Sequence, residues 1–291
     1  MCSDHRASPN RAGVHADHLQ GGTMGKLNEK VAFITGAGRG QGRAHAVRLA
    51  EEGADIIAVD VCKNVDSIEY DLASPDDLDE TARQVESLGS KVVPVVADVR
   101  DREALVSAAS QGVSALGGID IVCANAGICI MKPWDETTDE IWRDQIDVIL
   151  TGTWNTLKAT VPHLLNRGGG SVIITASVAG ARGNPFLSAY GAAKHGVIGL
   201  SKTMANELGM HNIRVNCISP NGVNTGLLDG LGGFDELMAK DPHFAPMFTN
   251  ALPVEVVEPR DISETVLYLA SDESRFTTGH NLLIDMGNLL R

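Results

Sequence analysis

Lys30-Val-Ala-Phe-Ile-Thr-Gly-Ala-Gly-Arg-Gly-Gln-Gly42 decides the fold. Lys30–Thr35 reads as a short buried strand. Gly36, Gly40 and Gly42 form the turn that follows. Arg43–Glu52 then has the apolar spacing of an amphipathic helix, ended by Gly53. Strand, glycine turn and helix are the context that a dinucleotide-binding loop requires. Gly36 permits the sharp turn. Gly40 and Gly42 let backbone and helix approach a pyrophosphate held at the helix N-terminus. The spacing is Gly-x-x-x-Gly-x-Gly rather than Gly-x-Gly-x-x-Gly. A second strand, Ala54–Val59, ends in Asp60. A carboxylate there, about 20 residues after the glycines, accepts the ribose hydroxyls of NAD and repels a 2′-phosphate.

Outward from this stretch, strands and helices alternate. Strands are expected at Val92–Val96, Ile119–Ala124, Ser171–Thr175, Arg214–Ile218 and Asn281–Ile284. Helices are expected near Arg102–Leu116, within Asp139–Arg167, and over Ser188–His211. Helical crossovers between strands give a parallel sheet covered on both faces. The fold class is therefore α/β, a single doubly wound Rossmann domain with a seven-stranded parallel sheet. A ligand should sit at the carboxyl ends of the strands. Asp60, Asp98, Asn125, Ser177 and Pro220 all fall there.

Tyr190 and Lys194 are four residues apart and share one helix face, and Ser177 lies thirteen residues upstream of Tyr190. An ammonium beside a phenol favours the phenolate. Such a tyrosine exchanges protons with an alcohol or carbonyl oxygen near neutral pH. A serine hydroxyl nearby can hold the same oxygen.

In order and spacing, these residues resemble the short-chain dehydrogenases/reductases over roughly residues 27–288. The carrying segments are Thr35–Gly42, Asp98-Val99, Asn125-Ala126-Gly127, Ser177, Tyr190–Lys194 and Pro220–Thr225. The resemblance implies Ser177, Tyr190 and Lys194 as catalytic groups. It implies that Gly36, Arg39, Gly40, Gln41, Gly42, Asp60, Val61, Asp98, Val99, Asn125, Ala126, Gly127, Tyr190, Lys194, Pro220, Val223 and Thr225 bind the cofactor. Asp98 would contact the adenine edge, Asn125–Gly127 the adenine ribose, and Thr225 the nicotinamide carboxamide. Arg39 stands where a basic residue often accompanies NADP. Asp60 opposes that, and the next basic residue is Lys63, so NAD is the expected cofactor. No metal site is expected.

The chain departs from that pattern at two places. Asp147-Val-Ile-Leu-Thr-Gly152 carries Ile149 where the family has an asparagine supporting a water that leads from the lysine to solvent. Three readings stand open: a natural variant with another relay, an engineered or erroneous residue, or lowered activity. The second departure is an insertion near 61–75, after Asp60. Ser74 caps the next helix, with Pro75 in its first turn and Asp76 and Asp77 on the positive dipole end. The insertion, with Leu252–Pro259 and Asp261–Ser263, resembles the carveol-dehydrogenase-like, mycofactocin-associated subgroup. That resemblance implies a tightly held NAD and a separate redox partner that recycles it.

A substrate lid is expected near 226–252. Its Leu227, Leu228, Leu231, Phe234, Met238, Phe244, Met247 and Phe248 suit a small hydrophobic alcohol or ketone, or else oligomer contacts. The family is commonly tetrameric, so a homotetramer is the expectation by resemblance.

The 291 residues are 43% hydrophobic and supply a sizeable core. A net charge of −13 argues against nucleic-acid or anionic-membrane partners. No apolar run is long enough to span a bilayer. Cys2, Cys62, Cys123, Cys129 and Cys217 form no Cys-x-x-Cys pair and read as reduced thiols of a cytoplasmic protein. Residues 1–23 are polar and lack the apolar region of a secretory signal. They read as a disordered tail preceding the domain at 24–291, or as an upstream start before Met24.

Overall fold

The computed structural model describes residues 25–231 and 233–291. The tail expected at 1–23, Met24, and the side chain of Leu231 lie outside the described residues. Seven strands form one sheet: β1 (Val31–Thr35), β2 (Asp55–Asp60), β3 (Val92–Val96), β4 (Ile121–Ala124), β5 (Gly170–Thr175), β6 (Ile213–Pro220) and β7 (Asn281–Ile284). They are parallel, in the order β3-β2-β1-β4-β5-β6-β7. Among the described residues, eight α-helices flank them: α1 (Gly40–Glu51), α2 (Pro75–Ser87), α3 (Arg102–Leu116), α4 (Asp139–Ile146), α5 (Gly152–Arg167), α6 (Ser188–Leu208), α7 (Phe234–Lys240) and α8 (Pro259–Ala270). Chain order reverses direction between β1 and β4. A crevice opens at that switch point, beyond the carboxyl ends of the strands.

β1 is buried on both faces, as a central parallel strand must be. Its side chains alternate between two cores. Phe33 joins Leu105, Leu157 and Val197 on one side of the sheet. Ala32 and Ile34 join Leu49, Val85 and Val266 on the other. Each such large side chain contributes about 1.5–3 kcal/mol by leaving water.

Most boundaries shift by a few residues from the sequence expectation, and four of the differences have a clear setting. α1 starts at Gly40, inside the glycine turn. β4 starts at Ile121 rather than Ile119, because Asp120 accepts from Val31 N (3.0 Å) and from the Arg167 guanidinium (3.0 and 3.1 Å). β6 runs on to Pro220, since β7 pairs with it as far as Ile284. The helix expected across Asp139–Arg167 is broken by a π turn at Asp147–Thr151.

The start of α2 follows its sequence signal. Ser74 Oγ accepts from Asp77 N (3.2 Å), and Asp77 Oδ2 accepts from Ser74 N (2.9 Å). Such reciprocal caps are worth about 1 kcal/mol. α2 then braces the glycine turn. Thr81 Oγ1 donates to Ala37 O (2.9 Å), and Arg43 Nε donates to Thr81 Oγ1 (3.0 Å).

Residues 61–73 form a strap that leaves the tip of β2 and crosses the crevice. Asn64 closes the strap on itself, accepting from Leu72 N (2.8 Å) and donating to Asp71 Oδ1 (2.9 Å). Val65 and Ile68 are buried in the core. Ser67 Oγ donates to Asp144 Oδ2 on α4 (2.5 Å), Lys132 pairs with Glu69 (3.4 Å), and Cys129 N donates to the Tyr70 hydroxyl (3.1 Å).

Candidate active site

The glycine turn is built for close approach. Gly36 and Gly40 have φ of +68° and +55°, in the left-handed region that glycine tolerates best. A methyl on Gly42 would lie 1.9 Å from Gly36 O, so only hydrogen fits where α1 meets the turn. Asp60 locks the turn from β2: Oδ2 accepts from Gly38 N (2.8 Å) and Oδ1 from Cys62 N (3.2 Å). A carboxylate offers about four lone-pair positions, so Asp60 keeps acceptor capacity for ribose hydroxyls.

Asn125 ties three strand ends together. Its side chain donates to Thr35 O (3.1 Å) after β1 and accepts from Thr175 Oγ1 (3.2 Å) after β5, while its own backbone N donates to Thr35 Oγ1 (3.1 Å). Asp98 lies at the tip of β3 beneath Arg100, whose Nη2 is 2.8 Å from Asp98 Oδ2. Burial works against the Asp98 charge, but the Arg100 hydrogen bonds and charge together hold this carboxyl below its usual range.

One cavity of ≈ 270 Å³ joins these groups. Every residue expected at the cofactor or catalytic site lines it, except Gly42, which acts through the shape of the turn. Gly-rich backbone at a helix N-terminus, a carboxylate at the β2 tip and a deep cleft between them fit a dinucleotide.

At the far end stand Ser177, Tyr190 and Lys194, exposed to only 8%, 9% and 3%. Ser177 caps a short 3₁₀ turn, its Oγ accepting from Ala179 N (3.2 Å), which leaves its own hydrogen for the cavity. Gly180 lets this turn close on α6, since a methyl there would meet Lys194 O at 2.6 Å. Lys194 Nζ donates to Thr175 O (2.6 Å) and lies 5.5 Å from the Tyr190 ring centre. Burial pushes Lys194 down to about 8. Burial also pushes the Tyr190 phenol above its ordinary value, with the Ser177 hydrogen bond pulling the other way. The sequence expectation is that Lys194 lowers the tyrosine pKa; burial is an opposing influence that the sequence does not display.

The sequence matches the family described as enoyl-(acyl carrier protein) reductase over residues 36–288. A (−)-trans-carveol dehydrogenase of Rhodococcus erythropolis is 45% identical, over 92% of this chain and all of that protein. The NAD-bound short-chain dehydrogenase of Mycobacterium paratuberculosis superposes with a TM-score of 0.90 at 48% identity, covering 92% of this chain and 100% of that one. Carveol dehydrogenase of Mycobacterium avium, solved with NAD, gives 0.85 at 46% identity, covering 92% and 100%.

The chain belongs to the short-chain dehydrogenase/reductase family.

In this short-chain dehydrogenase/reductase the π turn carries Ile149 where the sequence resemblance implies an asparagine. Ile149 sits in the π turn, 1% exposed, with its carbonyl accepting from Thr153 Oγ1 (2.7 Å). Such turns concentrate at functional sites. An isoleucine in this one offers no hydrogen bond to a water.

Several residues at the site carry no sequence signature. Tyr70 and Arg100 line the cavity, and Asp144 joins Arg100 (3.2 Å) to the strap. Arg182, five residues after Ser177, gathers Met247, Asn288 and Arg291. It donates to Met247 O, to Asn288 Oδ1 (2.7 Å) and to Arg291 O (3.2 Å). Buried Asn288 repeats the link, donating to Met247 O (3.2 Å) and Thr249 O (3.1 Å). From the segment expected as a lid, Leu227, Leu228, Phe234 and Phe248 line the cavity, while Phe244 packs edge-on against Phe186 at 5.5 Å.

Proposed function

We propose that the protein is an NAD-dependent alcohol dehydrogenase that interconverts a hydrophobic secondary alcohol, terpenoid in size and polarity, with its ketone. The observation that carries this reading is convergence. Ser177, Tyr190 and Lys194 come from the end of β5 and from α6, and open into the same cavity as the glycine turn and Asp60.

In the oxidation direction the Tyr190 oxygen takes the alcohol proton. Ser177 donates to the substrate oxygen and fixes its position. The Lys194 ammonium stabilises the phenolate at short range and has donors left for a ribose hydroxyl, since only one is spent on Thr175 O. NAD, when bound, supplies the hydride acceptor. Gly36–Gly42 hold its pyrophosphate, and Asp60 favours its free ribose hydroxyls over a 2′-phosphate. Apolar lid residues over the catalytic end support a hydrophobic substrate, as does the similarity to carveol dehydrogenases.

The strap across the crevice supports slow nucleotide exchange, hence a cofactor recycled in place by a separate redox partner of the mycofactocin type. A cytoplasmic homotetramer completes the proposal on family likeness. No described helix is long and apolar enough to cross a membrane. Two other readings remain in view: a carbonyl reductase using free NADH, and a nucleotide-sensing scaffold, which Ile149 favours.

Tyr190→Phe tests the proposal. Turnover should fall at least about a hundredfold while nucleotide binding holds. A scaffold would have no alcohol turnover to lose. An alcohol panel assayed with an artificial electron acceptor, beside free NAD, separates a recycled cofactor from an exchanging one.

A further inference from the structure

The strap ends in a polar group that the mechanism above leaves unused. Tyr70 lines the cavity and packs against the main core. Its oxygen accepts from Cys129 N at 3.1 Å. A phenol both accepts and donates, and among the described residues nothing accepts from this one. The place of the contact matters. Cys129 is two residues beyond Gly127, where an added methyl would lie 3.7 Å from Lys194 Nζ. Tyr70 also bears on the Tyr190 phenol, so its hydroxyl lies toward the catalytic end of the cleft. Around it the walls are apolar: Leu72, Met131, Leu187, Phe234 and Phe248 line the same space. In such a chamber a few fixed polar groups decide how a ligand lies. Burial pushes the Tyr70 phenol up to about 12, so it keeps its proton throughout the neutral range.

Resting on the alcohol-dehydrogenase reading, we infer that Tyr70 is a specificity-determining residue whose hydroxyl donates to a second oxygen of the substrate, remote from the reacting carbon. The substrate class is thereby narrowed to hydrophobic alcohols or ketones carrying a further hydroxyl, carbonyl or ether oxygen. A site built around a hydrogen bond rejects the analogue lacking the partner far more strongly than an apolar wall rejects a missing methylene. The Cys129 amide holds the ring, so the donor is presented in a fixed direction.

The test uses the full chain loaded with NAD, which has no hydride to give a ketone, and two probes, cyclohexanone and a ring-hydroxylated cyclohexanone, titrated by calorimetry. The wild-type protein should bind the hydroxyketone at least about tenfold tighter, and Tyr70→Phe should erase that difference while NAD affinity stays within about twofold. Equal binding of both probes by the wild type overturns the inference. So does discrimination that survives in Tyr70→Phe. A variant that loses NAD affinity and keeps discrimination makes Tyr70 a pin of the strap alone, which also overturns it. These are binding readouts, so they stand apart from the turnover of Tyr190→Phe, which tests the underlying reading.

Discussion

Ile149 and Lys194 flank the same point at Gly127: a methyl placed on that glycine would lie 3.7 Å from Lys194 Nζ and 3.9 Å from Ile149 Cγ1. At the rear of the Lys194 ammonium, Ile149 therefore contributes hydrocarbon and no acceptor. Among the described residues, the hydrogen bond that Lys194 Nζ makes is to Thr175 O.

Ile149→Asn should reopen the rear. An amide there can hold a water against the ammonium, and hydrogen bonds to the charged form raise a lysine pKa. Turnover is expected to rise by on the order of tenfold. The limb of the pH–rate profile set by Lys194 should move upward from about 8. A profile superimposable on that of the wild type would remove the relay argument.

Lys194 also makes stability depend on pH. Its pKa is about 8 in the folded protein against 10.5 when unfolded. Between those values the unfolded chain binds more protons, so stability rises with pH across that window. Below about 8 both states are charged, and the folded state bears the full cost of the buried ammonium. The gain is on the order of 3 kcal/mol. Lys194→Met should flatten this slope in chemical-denaturation midpoints taken from neutral pH to above 10. A slope unchanged in the variant would assign it to another group.

Gly42→Ala should cost the protein its nucleotide. The added methyl would sit 1.9 Å from Gly36 O, and backbone cannot give way cheaply. Overpacking of this kind costs roughly 1–3 kcal/mol. Because the strain falls on the turn itself, NAD affinity measured by fluorescence titration should drop by at least about tenfold.

Asp60→Ala tests cofactor choice. Removing the carboxylate deletes the acceptor for ribose hydroxyls and the repulsion toward a 2′-phosphate. It also frees Gly38 N and Cys62 N. NAD affinity should fall about tenfold, and the preference over NADP should largely vanish in parallel titrations. Retained discrimination would move that role to another residue.

Arg182→Ala addresses the lid. The guanidinium joins the loop after Ser177 to Met247, Asn288 and Arg291, away from the reacting atoms. KM for hydrophobic alcohols should rise about tenfold, with kcat changed much less and cleavage within 234–252 accelerated in limited proteolysis. An equal loss in kcat would place Arg182 in the chemistry instead.

The fold was legible because its signals are local. The glycine spacing, the strand ending in Asp60 and the Ser74-Pro75 cap each sit within a dozen residues, and each folds as read. The cleft was legible too, since strand ends converge once the sheet is parallel. Tyr70, Arg100 and Arg182 were not. Their partners lie in other loops, at separations that no periodicity encodes: Tyr70 meets Cys129 from 59 residues away, and Arg182 meets Asn288 from 106. A tyrosine inside the insertion was the one available hint. The upward push on the Tyr190 phenol was hidden for a different reason. Spacing reveals a neighbour's charge but not the amount of water removed, and burial is the largest cause here.

The π turn at Asp147–Thr151 acts as a phase shifter. Each residue of an α-helix advances its side chain by roughly 100°, and the wider turn absorbs one extra. α4 can therefore aim Gln145 at Ile130 N (3.0 Å) and Asp144 at the strap, while α5 independently aims Asn155 at Val99 O (3.0 Å). Deleting a single residue from the turn would straighten the rod and rotate one half against the other. Every contact on α4 would then be dialled out of register, although no contacting residue had changed.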